Sequence, residues 1–177
     1  LRDVYKRQVV HCANCPALVV ELICHLTASG GYVGVVGWPD LLLAQVDDKG
    51  DIERVVTVPD PGLESWMVTG VLAEGLDLVI HRGPPGEVSP TKARPVLAKV
   101  RGGRAAVLTV GTRLPGTAVG IGARVSAYRG VGKGSGRIRG VDMDVEVTSK
   151  QGASRGVLTV GGRRRLEACL LYTSLSG

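Results

Sequence analysis

Apolar residues in the first two thirds of the chain fall in short continuous runs. The runs are Val9–Cys12, Tyr32–Val36, Val55–Val58, Leu76–Ile80 and Ala105–Val110. Runs this short, bounded by turn residues, read as strands buried on both faces. The segments between them carry helical signals. Ala17–Thr27 is mostly apolar, with Pro16 placed in its first turn, where a missing N–H costs little. Gly30-Gly31 ends it. Gly37-Trp-Pro-Asp40 turns the second strand toward a helical segment, Leu41–Val46, and Asp47-Asp-Lys-Gly50 reads as a turn. Pro59-Asp-Pro-Gly62 ends the third strand. Leu63–Glu74 has apolar residues at 63, 66, 67, 71 and 72, which predicts an amphipathic helix with that face inward. Gly83-Pro-Pro-Gly86 breaks the chain after the fourth strand. Ser89 is placed to cap a helix over Pro90–Val100.

After Gly111 the period changes. Ala123–Arg129, Arg137–Ser149 and Gly156–Val160 alternate apolar and polar, as half-exposed antiparallel strands do. Val141, Met143, Val145 and Val147 face one way; Asp142, Asp144, Glu146 and Thr148 face the other. Gly130–Gly136 reads as the loop joining the first two strands. The expected fold is therefore α/β: a mostly parallel sheet flanked by helices, with antiparallel strands added at the C-terminal side. One domain spans 9–165, divided into an α/β core over 9–112 and a basic β extension over 113–165.

Charge follows the same division. Residues 9–112 carry 8 Lys and Arg against 11 Asp and Glu, a net −3; residues 113–165 carry 11 against 3, a net +8. The whole chain of 177 residues is +6, with 26 glycines and no Phe, so Val, Leu, Ile and Ala must build the core. With 44% hydrophobic residues the chain is not a mainly disordered one. Its apolar runs are too short for a transmembrane helix, and no membrane partner is expected. The ends fit no pattern in the body. Leu1–Gln8 and Cys169–Gly177 contain strings, VYKRQ and CLLYTS, similar to translated sequencing-adapter read-through. They are set aside from fold reasoning as non-native scars, and the natural N-terminus is expected to be missing.

An ordered set of motifs carries a resemblance. It comprises Gly34-Val-Val-Gly-Trp-Pro-Asp-Leu41, Ile52-Glu-Arg-Val-Val-Thr-Val-Pro-Asp-Pro-Gly62, Gly75-Leu-Asp-Leu-Val-Ile80 and Gly134-Ser-Gly-Arg-Ile-Arg-Gly140. Together they resemble the RecA-like (P-loop NTPase-type) core, and within it the actinobacterial ImuA-type accessory proteins of damage-induced mutagenesis. The resemblance implies a cytoplasmic, nucleoid-associated adaptor in the SOS response and translesion synthesis. Its implied partners are an error-prone polymerase subunit and an inactive Y-family-like polymerase homologue.

The same resemblance exposes losses. A RecA-like ATPase needs a glycine-rich loop with a Lys and a Ser or Thr for phosphate and Mg²⁺. The matching position, Val10–Ala17, offers Cys12, Ala13, Asn14, Cys15 and Pro16, with no glycine, lysine or hydroxyl. Gly37-Trp38-Pro39 stands where a water-activating glutamate is needed, with Asp40 beside it read as a helix cap. His81-Arg82 replaces the acidic residue ending the fourth strand. The expected protein is a pseudo-ATPase with no catalytic residues and no cofactor. A divergent ATP-using recombinase and a simple basic DNA-binding module are the alternatives.

Other constellations are weaker. His11, Cys12, Cys15, Cys24 and His25 contain one zinc-type half-site, Cys12-x-x-Cys15, which is equally a redox spacing. Cys24 and His25 fall inside an apolar helix, so neither zinc nor redox chemistry is expected. His81 is read as a packing or hydrogen-bonding histidine. Lys133, Arg137 and Arg139, with Arg124 and Arg129, are the candidate DNA contacts, because glycine-flanked arginines approach phosphates closely. Trp38 at a strand end and the Arg163-Arg164-Arg165 cluster are candidate partner or DNA contacts; Trp66 reads as core.

Overall fold

The computed structural model describes residues 8–132 and 135–161. Eight strands form one sheet in the order β3-β2-β4-β5-β1-β6-β7-β8. β1 (Val9–Cys12), β2 (Val33–Val36), β3 (Val55–Val58), β4 (Leu78–Glu87) and β5 (Ala106–Arg113) pair in parallel. β6 (Val119–Gly132) starts parallel to β1, through Val10–Val119 and Cys12–Ile121. It then pairs antiparallel with β7 (Ser135–Ser149), which pairs antiparallel with β8 (Gly152–Val160).

Strand alternation divides the core into two. Val10, Cys12, Val33, Val35, Ile80 and Leu108 meet α1 (Pro16–Ala28) and α2 (Ala44–Lys49) on one face. Val9, Val36, Val79 and Val107 meet α3 (Ser65–Gly75) and α4 (Pro90–Gly102) on the other. The α1 face extends across the β region, where Met143 is fully buried and Val141, Val145 and Val147 pack beside it. That is the face the alternation assigns to them. The sheet order sends the connection after β2 outward to β3 and the connection after β4 inward to β5. The carboxyl ends of β2 and β4 therefore flank a crevice, the usual place for a site in an open parallel sheet.

Several local expectations are corrected. The helix placed over Leu41–Val46 starts later, at Ala44, and absorbs Asp47, Asp48 and Lys49; Gly50 follows as its C-cap. Asp40 caps nothing: Leu43 holds the N-cap of α2, and Asp40 pairs with Arg82. Gly83-Pro-Pro-Gly86 does not end β4, which continues through a register shift between Arg82 and Gly86. An outer stretch paired on one side tolerates prolines as a central ladder does not. Ser89 sits at the N-cap of α4 but makes no side-chain capping bond. In α3 the fully buried residues are Thr69, Gly70 and Ala73; of the expected stripe, Trp66 and Leu72 pack against the core, while Met67 and Val71 are exposed, as is Leu63 just before the helix. Gly70 is inward because α4 lies so close that an added Cβ would fall 2.8 Å from the Lys99 side chain.

The Gly130–Gly136 segment is not an open loop. β6 and β7 remain paired out to Gly132–Ser135, through two register shifts. Exposed residues line both strands there, including Tyr128, Val131 and Ile138. The pair is thus a hairpin arm beyond the helical layers.

Gly111 and Gly116 both have positive φ, +79° and +75°. A Cβ on Gly111 would lie against the Gly83 carbonyl oxygen, whereas one on Gly116 meets open space. Gly116→Ala is expected to cost about 1 kcal/mol of stability, from backbone strain alone. Gly111→Ala is expected to cost at least about 2 kcal/mol more, because backbone must move. Urea unfolding of the two variants against the parent chain measures both.

Candidate functional site

Three features bear on function: the β1–α1 turn, a cleft at the carboxyl edge of β2 and β4, and the hairpin arm. The turn is the position expected to correspond to a phosphate loop. Only Ala13, Asn14 and Cys15 separate β1 from α1. The Ala13 N–H donates to the Ile121 carbonyl at 2.8 Å, and the Cys15 N–H to the Ala13 carbonyl at 2.7 Å. Pro16 opens the helix, so the first helical residue supplies no donor. Of the backbone N–H groups a phosphate would use, two are thereby committed and a third is missing.

The cysteines near that turn do not form a metal centre among the described residues. Cys12 is fully buried, and burial, with the Cys15 thiol beside it, pushes its pKa up to about 12. The Cys15 sulfur contacts Met143 Sδ at 3.4 Å. Cys24 lies nine residues further along α1, roughly 13 Å away, and packs toward the Gln45 carbonyl. His25 is exposed.

The cleft has a volume of about 990 Å³. His81, from β4, lies in its floor and is 2% exposed. The His81 ring stacks on Trp66 of α3, with centroids 3.7 Å apart and planes 14° from parallel. Thr69, one turn after Ser65, donates its hydroxyl proton to the Ser65 carbonyl and lies 2.7 Å from His81 Nδ1. The tautomer of the neutral ring decides which of the two donates in that contact. Burial lowers the His81 pKa to about 4, which keeps the ring neutral.

Across the sheet, His81 sits in register with Thr109, and Thr109 with His11. His11 Nδ1 lies 3.3 Å from Thr109 Oγ1. Burial, then Arg113, lowers the His11 pKa as well. A row of two histidines about a buried threonine therefore crosses the centre of the sheet. The sequence could not show it, because the three residues lie on strands distant in the chain.

Trp38 departs from its expected role, while Trp66 keeps its own in part. Trp38 is buried, 5% exposed, so it is no site-edge contact; the Arg82 guanidinium covers its ring at 5.1 Å. Arg82 also pairs with Asp40 at 2.5 Å. Trp66, expected in the core, is partly buried and packs against the core between the sheet and α3 and α4, and also lines the cleft.

The candidate DNA contacts divide into two groups. Arg124 and Arg129 face carboxylates across the strand pair: Arg124 is 4.0 Å from Asp144, and Arg129 is 2.8 Å from Asp142. The bond from Arg129, then one from Thr159, holds the Asp142 carboxyl below the usual carboxylate range. Arg155 pairs with Glu146 in the same ladder. Arg137 and Arg139 are exposed and have no ion pair among the described residues. Lys133 and Arg163, Arg164 and Arg165 lie outside the described residues.

This chain matches the family described as MT3502 N-terminal domain over residues 2–116, more than half its length. The chain belongs to that family. The match ends at Gly116, in the turn between β5 and β6, so it contains the turn and the cleft but not the arm. The chain is also similar to a Mycobacterium tuberculosis protein described as "Uncharacterized protein Rv3395c". The two are 34% identical over 137 residues, which is 73% of this chain and 67% of that protein. Among the described residues, no helix of this family member is long and apolar enough to cross a membrane.

The depressed basicity of His81 makes stability depend on pH. The unfolded chain takes up a proton near the ordinary value of 6.5, but the folded chain does not until about 4. Stability is therefore full above 6.5 and falls as the pH drops toward 4, by about 3 kcal/mol. Urea unfolding at pH 7, 6 and 5 is expected to show this slope in the parent chain and a shallower one in His81→Gln.

Proposed function

We propose that this chain is a non-hydrolysing RecA-like adaptor in DNA-damage-induced mutagenesis, of the ImuA type. It brings together an error-prone polymerase subunit and an inactive Y-family-like polymerase homologue. The observation that carries the reading is the β1–α1 turn. Its three residues include no glycine, lysine or hydroxyl, and a proline follows at the first helical position. Two further positions agree. Asp40, beside the place of the water-activating glutamate, is engaged by Arg82. His81, in place of an acidic strand end, is buried and neutral. A central parallel sheet with β7 added antiparallel supports the RecA-like fold.

The test has two arms. Calorimetric titration with ATP and Mg²⁺ is expected to give no binding heat and no turnover. Affinity capture from cells of a natural host treated with a DNA-damaging agent is expected to retrieve both polymerase-type partners. Turnover that survives purification, or capture of neither partner, would overturn the adaptor reading.

A second reading, direct DNA contact, is favoured by Arg137 and Arg139 on the exposed arm. If those residues hold phosphates of a single strand, the double substitution to Ala lowers the slope of log affinity against log salt by about 1.4. Fluorescence anisotropy with a labelled oligonucleotide reads that slope, and an unchanged slope removes the arm as a DNA contact.

A further inference from the structure

Three exposed apolar side chains form a stripe along α3. Leu63, Met67 and Val71 follow one another at intervals of four residues, which keeps them on one helical face. Val56 continues the apolar surface onto β3. It is in register with Gly34, where an added Cβ would meet Leu72 and Leu76, so it lies on the α3 side of the sheet. Val56 is exposed because β3 is an edge of the sheet.

Charge around this surface is in excess on one side. Residues 51–75, which hold β3 and α3, carry 5 Asp and Glu and a single Arg. Of the cations nearby, Arg54 is matched by Asp51, Lys99 by Glu74 and Arg82 by Asp40. That leaves Lys92 against Glu53, Asp60, Glu64 and Glu87, four exposed carboxylates with no ion pair among the described residues.

The hairpin arm is the counterpart. Tyr128, Val131 and Ile138 are exposed on it, beside Arg137 and Arg139, and residues 113–165 carry a net +8. Both surfaces combine exposed apolar side chains with surplus charge, and the signs are opposite. One molecule cannot join them: β3 and β6 stand five strand spacings apart, about 24 Å, and the arm lies beyond the helical layers. Two-fold pairing of either surface with itself would set like charges together. Pairing the unlike surfaces avoids this and covers apolar area with apolar area.

We propose that the chain assembles head to tail, with the arm of one copy docked on the α3–β3 face of the next and Arg137 and Arg139 set among its free carboxylates. Each such contact leaves an arm open at one end and a face at the other, so assembly continues as an open chain or closes as a ring. Neither the adaptor reading nor DNA contact is required for it.

Sedimentation velocity of the full chain is the test. At about 0.05 M salt the parent chain is expected to sediment faster as its concentration rises. At about 1 M salt, where the screening length falls to about 3 Å, it is expected to assemble at least about tenfold more weakly. Met67→Ser with Val71→Ser weakens the face, and Arg137→Glu with Arg139→Glu reverses the arm. All four positions are exposed, so both variants are expected to keep the circular dichroism of the parent. Each alone is expected to stay monomeric. Their equimolar mixture is expected to form a one-to-one complex, because each supplies the surface the other lacks. Arg137→Lys with Arg139→Lys is expected to assemble as the parent does. A parent chain that stays monomeric at low salt up to about 1 mM overturns the proposal, whatever becomes of the variants. So does either double variant assembling like the parent, or a mixture of the two folded variants that stays monomeric.

Discussion

Everything in this molecule follows from burying a parallel sheet on both faces. With helices on either side, β1, β2 and the inner part of β4 have no solvent-facing residues to spare, and they are built mostly of valine, leucine and isoleucine. Polar chemistry is pushed to the carboxyl edge, where strands hand over to turns. The polar groups that remain inside are small and bonded: Thr69 to Ser65, Thr109 to Val10, Thr27 to Ile23. His81 survives at 2% exposure only because a threonine and an indole ring receive it. A charged residue there would leave an unpaired ion in an apolar layer.

That constraint also explains what was legible in the sequence. Continuous apolar runs located β1 and β3 to the residue and β2 and β5 within three, although β3 is not buried on both faces as expected; β4 runs seven residues past its expected end at Ile80, because β5 pairs with its outer stretch. Alternation in β7 assigned Met143 and its neighbours to the right face. The failures fall where neighbours distant in the chain decide. Gly70 and Thr69 are inward in α3 because α4 and His81 approach there, and no local pattern shows that. Leu63, Met67 and Val71 look like a core stripe and are on the surface. The two tryptophans could not be told apart, since a guanidinium from β4 covers one and an imidazole from the same strand stacks on the other.

The β extension manages its own exposure differently. Its face away from α1 carries a cross-strand ladder, Arg124–Asp144, Arg129–Asp142 and Arg155–Glu146, instead of a helix. Each such exposed pair contributes only about 0.2–1 kcal/mol, so the ladder sets register more than it adds stability. The +8 net charge of this half already allows for these three carboxylates, so it counts the cations outside the ladder, Arg137 and Arg139 on the described arm among them.

β6 belongs to two bodies at once. Its first residues are hydrogen-bonded to β1 in the middle of the sheet, and its far end is the hairpin arm. At about 3.3 Å per residue its 14 residues form a beam roughly 46 Å long. The Ile121 carbonyl that receives the Ala13 N–H is part of that beam. The β1–α1 turn is thus tied by one backbone hydrogen bond to the strand that carries the arm.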